Sequence, residues 1–268
     1  MIRFGYSGIG GYIDFNDYNT RLIDGNLHTH SWTYDSSKEQ YGERVGRFSK
    51  DSLFYELKIL FTEHARAELN KFHDITEACV INNVPGTLYW DDWELDCFII
   101  EQSTRPSDDY FGAERTFKVF APYPFWIRKN KKEFLKNEET STQGLDYNYD
   151  YNYDYAKTKK GSERWQRKHI APSHFRFEIY GTAVNPSIRI NGHTYAVESK
   201  AEQGEYIAID SREQIVEKRD INGRGTNLFD KRVGDIFRKI EADDLEVDWS
   251  GAFGFTLAIY EERSEPTW

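Results

Sequence analysis

Ile188-Arg-Ile-Asn-Gly-His-Thr-Tyr-Ala-Val197 is the stretch on which the reading of the fold turns. Apolar and polar residues alternate on either side of Asn191-Gly192. Asn-Gly between two alternating runs is the strongest short hairpin signal, because a type I′ turn needs positive φ at both central residues. The two strands it predicts have one packed face and one wet face.

Outward from this hairpin the same texture recurs. Leu53–Phe61, Gly86–Trp90, Trp93–Glu101, Thr116–Phe120, Phe175–Tyr180, Gly204–Asp210 and Phe253–Tyr260 are short runs rich in aromatic and β-branched residues, separated by Gly, Asn and Asp. That spacing predicts a mainly β protein. In Phe175-Arg-Phe-Glu-Ile-Tyr180 the apolar side chains fall on one face until the strand ends. One segment breaks the pattern. From Thr62 to about His73, Thr62 can cap, Glu63 suits a first turn, and Ala65, Leu69 and Phe72 recur at helical intervals. They predict one amphipathic helix of about three turns, laid against a sheet.

Composition agrees and narrows the function classes. The 268 residues correspond to two domains, or to one large β domain, at roughly 150 residues per domain. Aromatic residues make up 16% of the chain, nearly half of its 38% apolar content, and flat rings suit a pleated, half-buried surface. The formal charge of −10 is the wrong sign for wrapping duplex DNA or lying on an anionic membrane. No run approaches the length of a membrane span, and the opening Met1-Ile-Arg-Phe-Gly-Tyr-Ser-Gly8 has no apolar signal core, so a chain made and kept in a cytoplasm is expected. Cys79 and Cys97 are too few for a disulfide scaffold and read as small buried thiols.

The expected domain boundary lies near the middle. Arg128-Lys-Asn-Lys-Lys132 opens a charged stretch that runs to Glu138-Glu-Thr-Ser-Thr-Gln-Gly144, with too little apolar surface to bury, so it should be mobile or solvent-facing. The repeat Asp146-Tyr-Asn-Tyr-Asp-Tyr-Asn-Tyr-Asp-Tyr155 follows. In an extended chain Tyr147, Tyr149, Tyr151, Tyr153 and Tyr155 share one face. The expectation is a linker over residues 141–156, pinned by its tyrosines, between domains at 1–140 and 157–268; a disordered low-complexity tract is the other reading.

The search for chemistry returns little. His28-Thr-His30 has metal-like spacing, with Asp24 or Asp35 to complete it, but no supporting cluster follows, and the pair reads as loop histidines. Ser7-Gly-Ile-Gly-Gly11 lacks the helix start that a phosphate loop requires, so it reads as a turn. Asp91-Asp92, Glu94, Asp96, Asp108-Asp109 and Asp243-Asp244 could serve a glycosidase, yet Asp91-Asp92 looks like the tip of a hairpin. No Gly-x-Ser-x-Gly elbow is present. Between Lys157 and His169 six cations stand against Glu163, with Trp165 interleaved; on an acidic chain this reads as a solvated loop or a subunit contact rather than a single-strand binding site. The residues call for no enzyme activity, no cofactor and no metal.

The order of landmarks is similar to that of one known family. Leu53 to His73, Val84-Pro-Gly-Thr-Leu-Tyr-Trp90, Phe117-Lys-Val-Phe-Ala-Pro-Tyr-Pro-Phe-Trp126, the Asp/Tyr repeat, Gly181 to Ile188 with Asn185-Pro-Ser187, Gly204-Glu-Tyr-Ile-Ala-Ile-Asp210 and Glu262-Arg-Ser-Glu-Pro-Thr-Trp268 follow one another along most of the chain. This succession resembles the distal tail proteins, or Dit family, of long, non-contractile-tailed bacteriophages of the siphovirus type. The prolines force an extended path through Ala121–Trp126, where Tyr123, Phe125 and Trp126 make an anchor, and Trp268 supplies a last ring expected to dock.

The resemblance implies an N-terminal β-rich, sandwich-like domain with one α-helix and a C-terminal galectin-like β-sandwich, here without an added carbohydrate-binding module. It implies a structural protein of the virion that forms a homohexameric ring at the tail tip or baseplate. The ring's partners would be the tail tube protein, the tail-associated fibre or lysin and a receptor-binding protein, with no membrane and no sequence-specific nucleic acid, although the genome passes through. The acidic charge suits a ring around a DNA conduit, where a basic wall would hold the genome back. A carbohydrate-binding β-sandwich that recognises the host cell wall is the alternative, and a wall-degrading hydrolase a third.

Overall fold

The structure, a computed structural model, describes residues 3–62, 65–104, 113–136, 161–166 and 170–267. The Asp146–Tyr155 repeat with Tyr147, Tyr149, Tyr151, Tyr153 and Tyr155, most of the basic cluster, and Trp268 lie outside the described residues. The chain divides into two compact units, Met1–Arg128 with Glu262–Trp268, and Lys129–Glu261.

Unit 1 opens with β1 (Phe4–Gly8) and β2 (Gly11–Asp14), joined by a glycine turn in which Gly10 has φ of 92°. Next come β3 (Thr20–Gly25), β4 (Thr33–Lys38), β5 (Glu43–Ser49) and β6 (Leu53–Phe61). Helix α1 (Ala65–Ile81) leads to β7 (Gly86–Trp90), β8 (Trp93–Thr104), β9 (Ala113–Ala121) and the start of β10 (Trp126–Phe134). One antiparallel sheet has the order β10-β8-β7-β1-β2 and the other β3-β6-β9-β8. β8 serves both: Trp93–Cys97 pair with β7, Phe98–Thr104 pair with β9, and the register shifts between Ile99 and Glu101. A bulge of this kind bends a strand, which lets one strand turn the corner between two sheets.

The strand expected at Leu53–Phe61 forms with alternating burial: Tyr55, Leu57, Ile59 and Phe61 are buried. The helix is longer than its sequence pattern, running eight residues past His73. Ile75, Thr76, Val80 and Ile81 are weak helix formers, but Ile75 and Cys79 fall on the same face as Phe72 and are buried, so packing overrides propensity. Thr62, expected as a cap, instead donates its hydroxyl to the Tyr18 carbonyl at 2.8 Å. Phe72 is the centre of the core, with ring centroids 4.5 Å from Phe117 and 6.1 to 6.3 Å from Phe61, Phe15 and Tyr6. Gly86 leaves room for the Tyr6 ring, which a Cβ there would strike.

Unit 2 takes in the rest of β10 and then β11 (Gly161–Trp165), β12 (His174–Tyr180), β13 (Ala183–Val184), β14 (Ser187–Ile190), β15 (His193–Val197) and β16 (Lys200–Ala201). It continues through β17 (Tyr206–Asp210), β18 (Ile215–Arg219), β19 (Gly225–Asn227), β20 (Arg232–Val233), β21 (Leu245–Trp249) and β22 (Phe255–Arg263). Strands β19-β18-β17-β12-β22 form one antiparallel sheet and β11-β21-β14-β15-β20 the other. Phe175, Phe177, Ile207 and Ile209 from the first meet Ile188, Tyr195, Val247 and Trp249 from the second in one core, which makes a β-sandwich. The hairpin turn is as read, with Asn191 at φ 45°, Gly192 at φ 87° and Ile190 opposite His193.

The charged stretch from Arg128 departs from its expectation, because residues up to Phe134 lie in a strand. Exposed Lys129, Lys131 and Glu133 alternate there with half-buried Arg128, Asn130 and Lys132, Lys132 pairs with Glu163 at 2.9 Å, and Phe134 stacks on Phe255 at 4.6 Å. A single buried ring at its end and an ion pair hold a segment whose composition reads as solvent.

Replacing Phe72 by Ala removes the ring that Phe117, Phe61, Phe15 and Tyr6 surround. The expected loss is about 3–5 kcal/mol of unit 1 stability, read from urea unfolding; a loss below 1 kcal/mol would mean that the core closes over the gap.

Candidate assembly surface

β4 and β5 form a hairpin that is a sheet of its own. Thr33 pairs with Ser49, Tyr34 with Phe48 and Asp35 with Arg47; a bulge then brings Ser36 opposite Val45. Residues 31 to 48 are all exposed. The two faces differ. Tyr34, Phe48 and Val45 share one face, 57%, 60% and 46% exposed, and Trp32, one step beyond the first pair, continues it at 48%. The opposite face carries Thr33 bonded to Ser49 and Asp35 with Arg47 at 3.8 Å. An isolated two-stranded hairpin is marginal in water, and an ion pair this exposed adds little. Large rings left in water on one side of such an arm form a surface that another protein can cover.

The base of the arm is better held. Trp32 lies edge-on to Phe125 with centroids 6.0 Å apart, and Tyr123 is 5.3 Å from the same ring. The Lys50 ammonium sits 4.5 Å over Phe125 and 5.6 Å over Trp32, and donates to the Pro124 carbonyl at 2.6 Å. The residues that enter and leave the arm, Trp32 and Lys50, therefore both engage Tyr123-Pro124-Phe125. Proline on either side of Tyr123 stiffens that segment, so it can act as a fixed post. Burial pushes the Lys50 ammonium down to about 8, while the two ring faces favour its charged form.

Of the residues singled out from sequence, Tyr123 and Phe125 are half-buried at this post, whereas Trp126 is fully buried in the core of unit 1. The arm itself carries no sequence signal of comparable strength. Thr33-Tyr-Asp-Ser-Ser-Lys38 and Glu43–Ser49 have few apolar residues, and only the tip at Gly42, with φ of 82°, and the opposed pair Tyr34 and Phe48 could have marked it. For the chemical candidates, Asp91 turns the β7–β8 hairpin at φ 53°, His28 stands edge-on to Trp90, and both cysteines are buried and free. Among the described residues no group of His, Cys, Asp and Glu could hold a metal ion, and no helix is long and apolar enough to cross a membrane. A cleft of about 670 Å³ in unit 1 is lined in part by Phe4, Phe15, Leu22, Leu60 and Trp90.

No protein-family profile matches the sequence, and no curated protein is similar to it. Solved structures share its fold. The chain is similar to the SPP1 Dit (gp 19.1) protein, described as a paradigm of the hub adsorption apparatus in phages infecting Gram-positive hosts, with 9% identity, a TM-score of 0.60, and coverage of 98% of this chain and 99% of that one. It is similar also to a chain of the phage P2 baseplate in its activated conformation, with 15% identity, a TM-score of 0.66, and coverage of 99% and 100%; the same baseplate with strontium gives 0.65. The fold is thus Dit-like across nearly the whole chain.

Folding opposes the charged form of Lys50, whose value lies below the ordinary 10.5, and that opposition fades as pH rises from about 8 to 10.5. In thermal melts the wild type is expected to gain stability relative to Lys50→Met across this window. Parallel curves would mean that no buried charge sits at the arm's base.

Proposed function

We propose that this chain is a structural hub of the distal tail or baseplate of a phage, acting in the virion as a closed ring of copies. The observation that carries the reading is the arm: Trp32, Tyr34, Val45 and Phe48 line one face of a hairpin that the other described residues leave exposed, in a protein whose fold is shared with phage hub and baseplate proteins. A contact in which the arm of one copy lies on a different surface of the next is head-to-tail, and such contacts close into rings when the rotation allows. The family resemblance sets the number at six and the neighbours as the tail tube on one side and the fibre or lysin and receptor-binding proteins on the other. Scaffolding of this kind needs no reaction chemistry. Its work is the burial of rings and the matching of charge around an axis. Tyr123 and Phe125 act in it as the post that aims the arm.

Mass photometry of the purified protein, alone and with its tube partner, tests the ring. Changing Tyr34 and Phe48 together to Ser should abolish the ring and leave unfolding within about 0.5 kcal/mol of wild type, since both rings are exposed in the single chain. A wild type that stays monomeric with its partner present, or a double variant that assembles normally, overturns the proposal.

A further inference from the structure

The end of β22, from Glu262, and the residues after it belong to unit 1 and meet the base of the arm. Tyr123 donates its hydroxyl to Glu262 Oε1 at 2.7 Å, a charge-assisted bond on the post itself. Three residues on, Glu265 lies 3.8 Å from Nδ1 of His30, two positions before Trp32 and three before β4 begins. Residues 262 to 265 are half-buried and Pro266 is buried, so the segment lies against the unit rather than standing in solvent. The two contacts are unequal. The His30 pair is exposed on both sides and adds little by itself, whereas a hydrogen bond to a carboxylate from a half-buried phenol is among the stronger kinds.

We infer that Glu262–Pro266 is a strap that locks the base of the arm, and that the arm's direction depends on it. The post is held by Trp32 and Lys50 at the foot of the arm and by Glu262. Releasing the strap leaves the arm attached but free to swing, which lowers the fraction of molecules poised to meet a neighbour and weakens assembly by that fraction. The effect on assembly rests on the ring reading above; the locking of the base does not.

Hydrogen exchange on the full-length chain, wild type against Glu262→Ala/Glu265→Ala, separates the two. Amides at 31–35 and 47–52 and those of Tyr123, Phe125 and Trp126 are expected to exchange roughly tenfold faster in the variant, the scale set by one charged hydrogen bond, with β6 unchanged. The ring should then form only at a higher protein concentration. Tyr123→Phe, which removes one hydroxyl, should move the same amides in the same direction and guards against a misfolded double variant. Unchanged exchange at the base in both variants overturns the strap. Faster exchange at the base in a protein whose wild type forms no ring upholds the strap and fails the ring.

Discussion

β8 gives its first half to β7 and its second half to β9, and the register shift between Ile99 and Glu101 is what allows one strand to belong to two sheets. Around that strand the rest of unit 1 is determined. Leu95 and Cys97 point into the same core as Phe72, and β9 then fixes β6 over its whole length, from Leu53 opposite Ala121 to Phe61 opposite Ala113. A strand shared in this way leaves little freedom to slip, because a one-residue shift would turn every buried side chain outward in both sheets at once. The post at Tyr123-Pro124-Phe125 follows directly from β9, so the arm is aimed by the most constrained part of the unit.

Unit 2 solves a different problem, how to keep polar groups inside a sandwich. Asp210 ends β17 and is nearly fully buried, but its oxygens accept from the Arg212 and Glu213 amides and from the Tyr260 hydroxyl at 2.9 Å, with the Arg176 guanidinium 3.6 Å away. Burial, then the adjacent carboxylate, pushes the Tyr260 phenol well up, so it stays a donor. A buried carboxylate with all these partners is a turn clamp rather than an acid waiting for a substrate.

Where burial alternates simply, the sequence displayed it. Leu53–Phe61 and Gly86–Trp90 have in the structure the bounds read from their residues, and Asn191-Gly192 makes the turn its φ angles require. Three elements were hidden for three physical reasons. The second half of α1 is built from residues with weak helical preference that the core rewards. The end of β10 is lysine-rich, because the aliphatic stems of Lys132 and its neighbours can line a strand while their charges reach water. The arm is exposed along its entire length in one chain, so it has no buried stripe to reveal it. The same reason divides the candidate surface. Tyr123 and Phe125 stood out through the prolines beside them, whereas Trp32, Lys50 and Glu262 come together only in three dimensions, from segments far apart in the chain.

The division of the chain into units has a consequence for how the molecule comes into being. Unit 1 is interrupted: its strap is encoded after the whole of Lys129–Glu261. At about 5–20 residues per second, a ribosome that has finished the arm and its post still needs on the order of ten seconds before Glu262 exists. During that interval the nascent arm is present and its lock is not. A translation product cut short anywhere within unit 2 therefore carries the arm without the strap, and the order of synthesis itself separates finished subunits from unfinished ones.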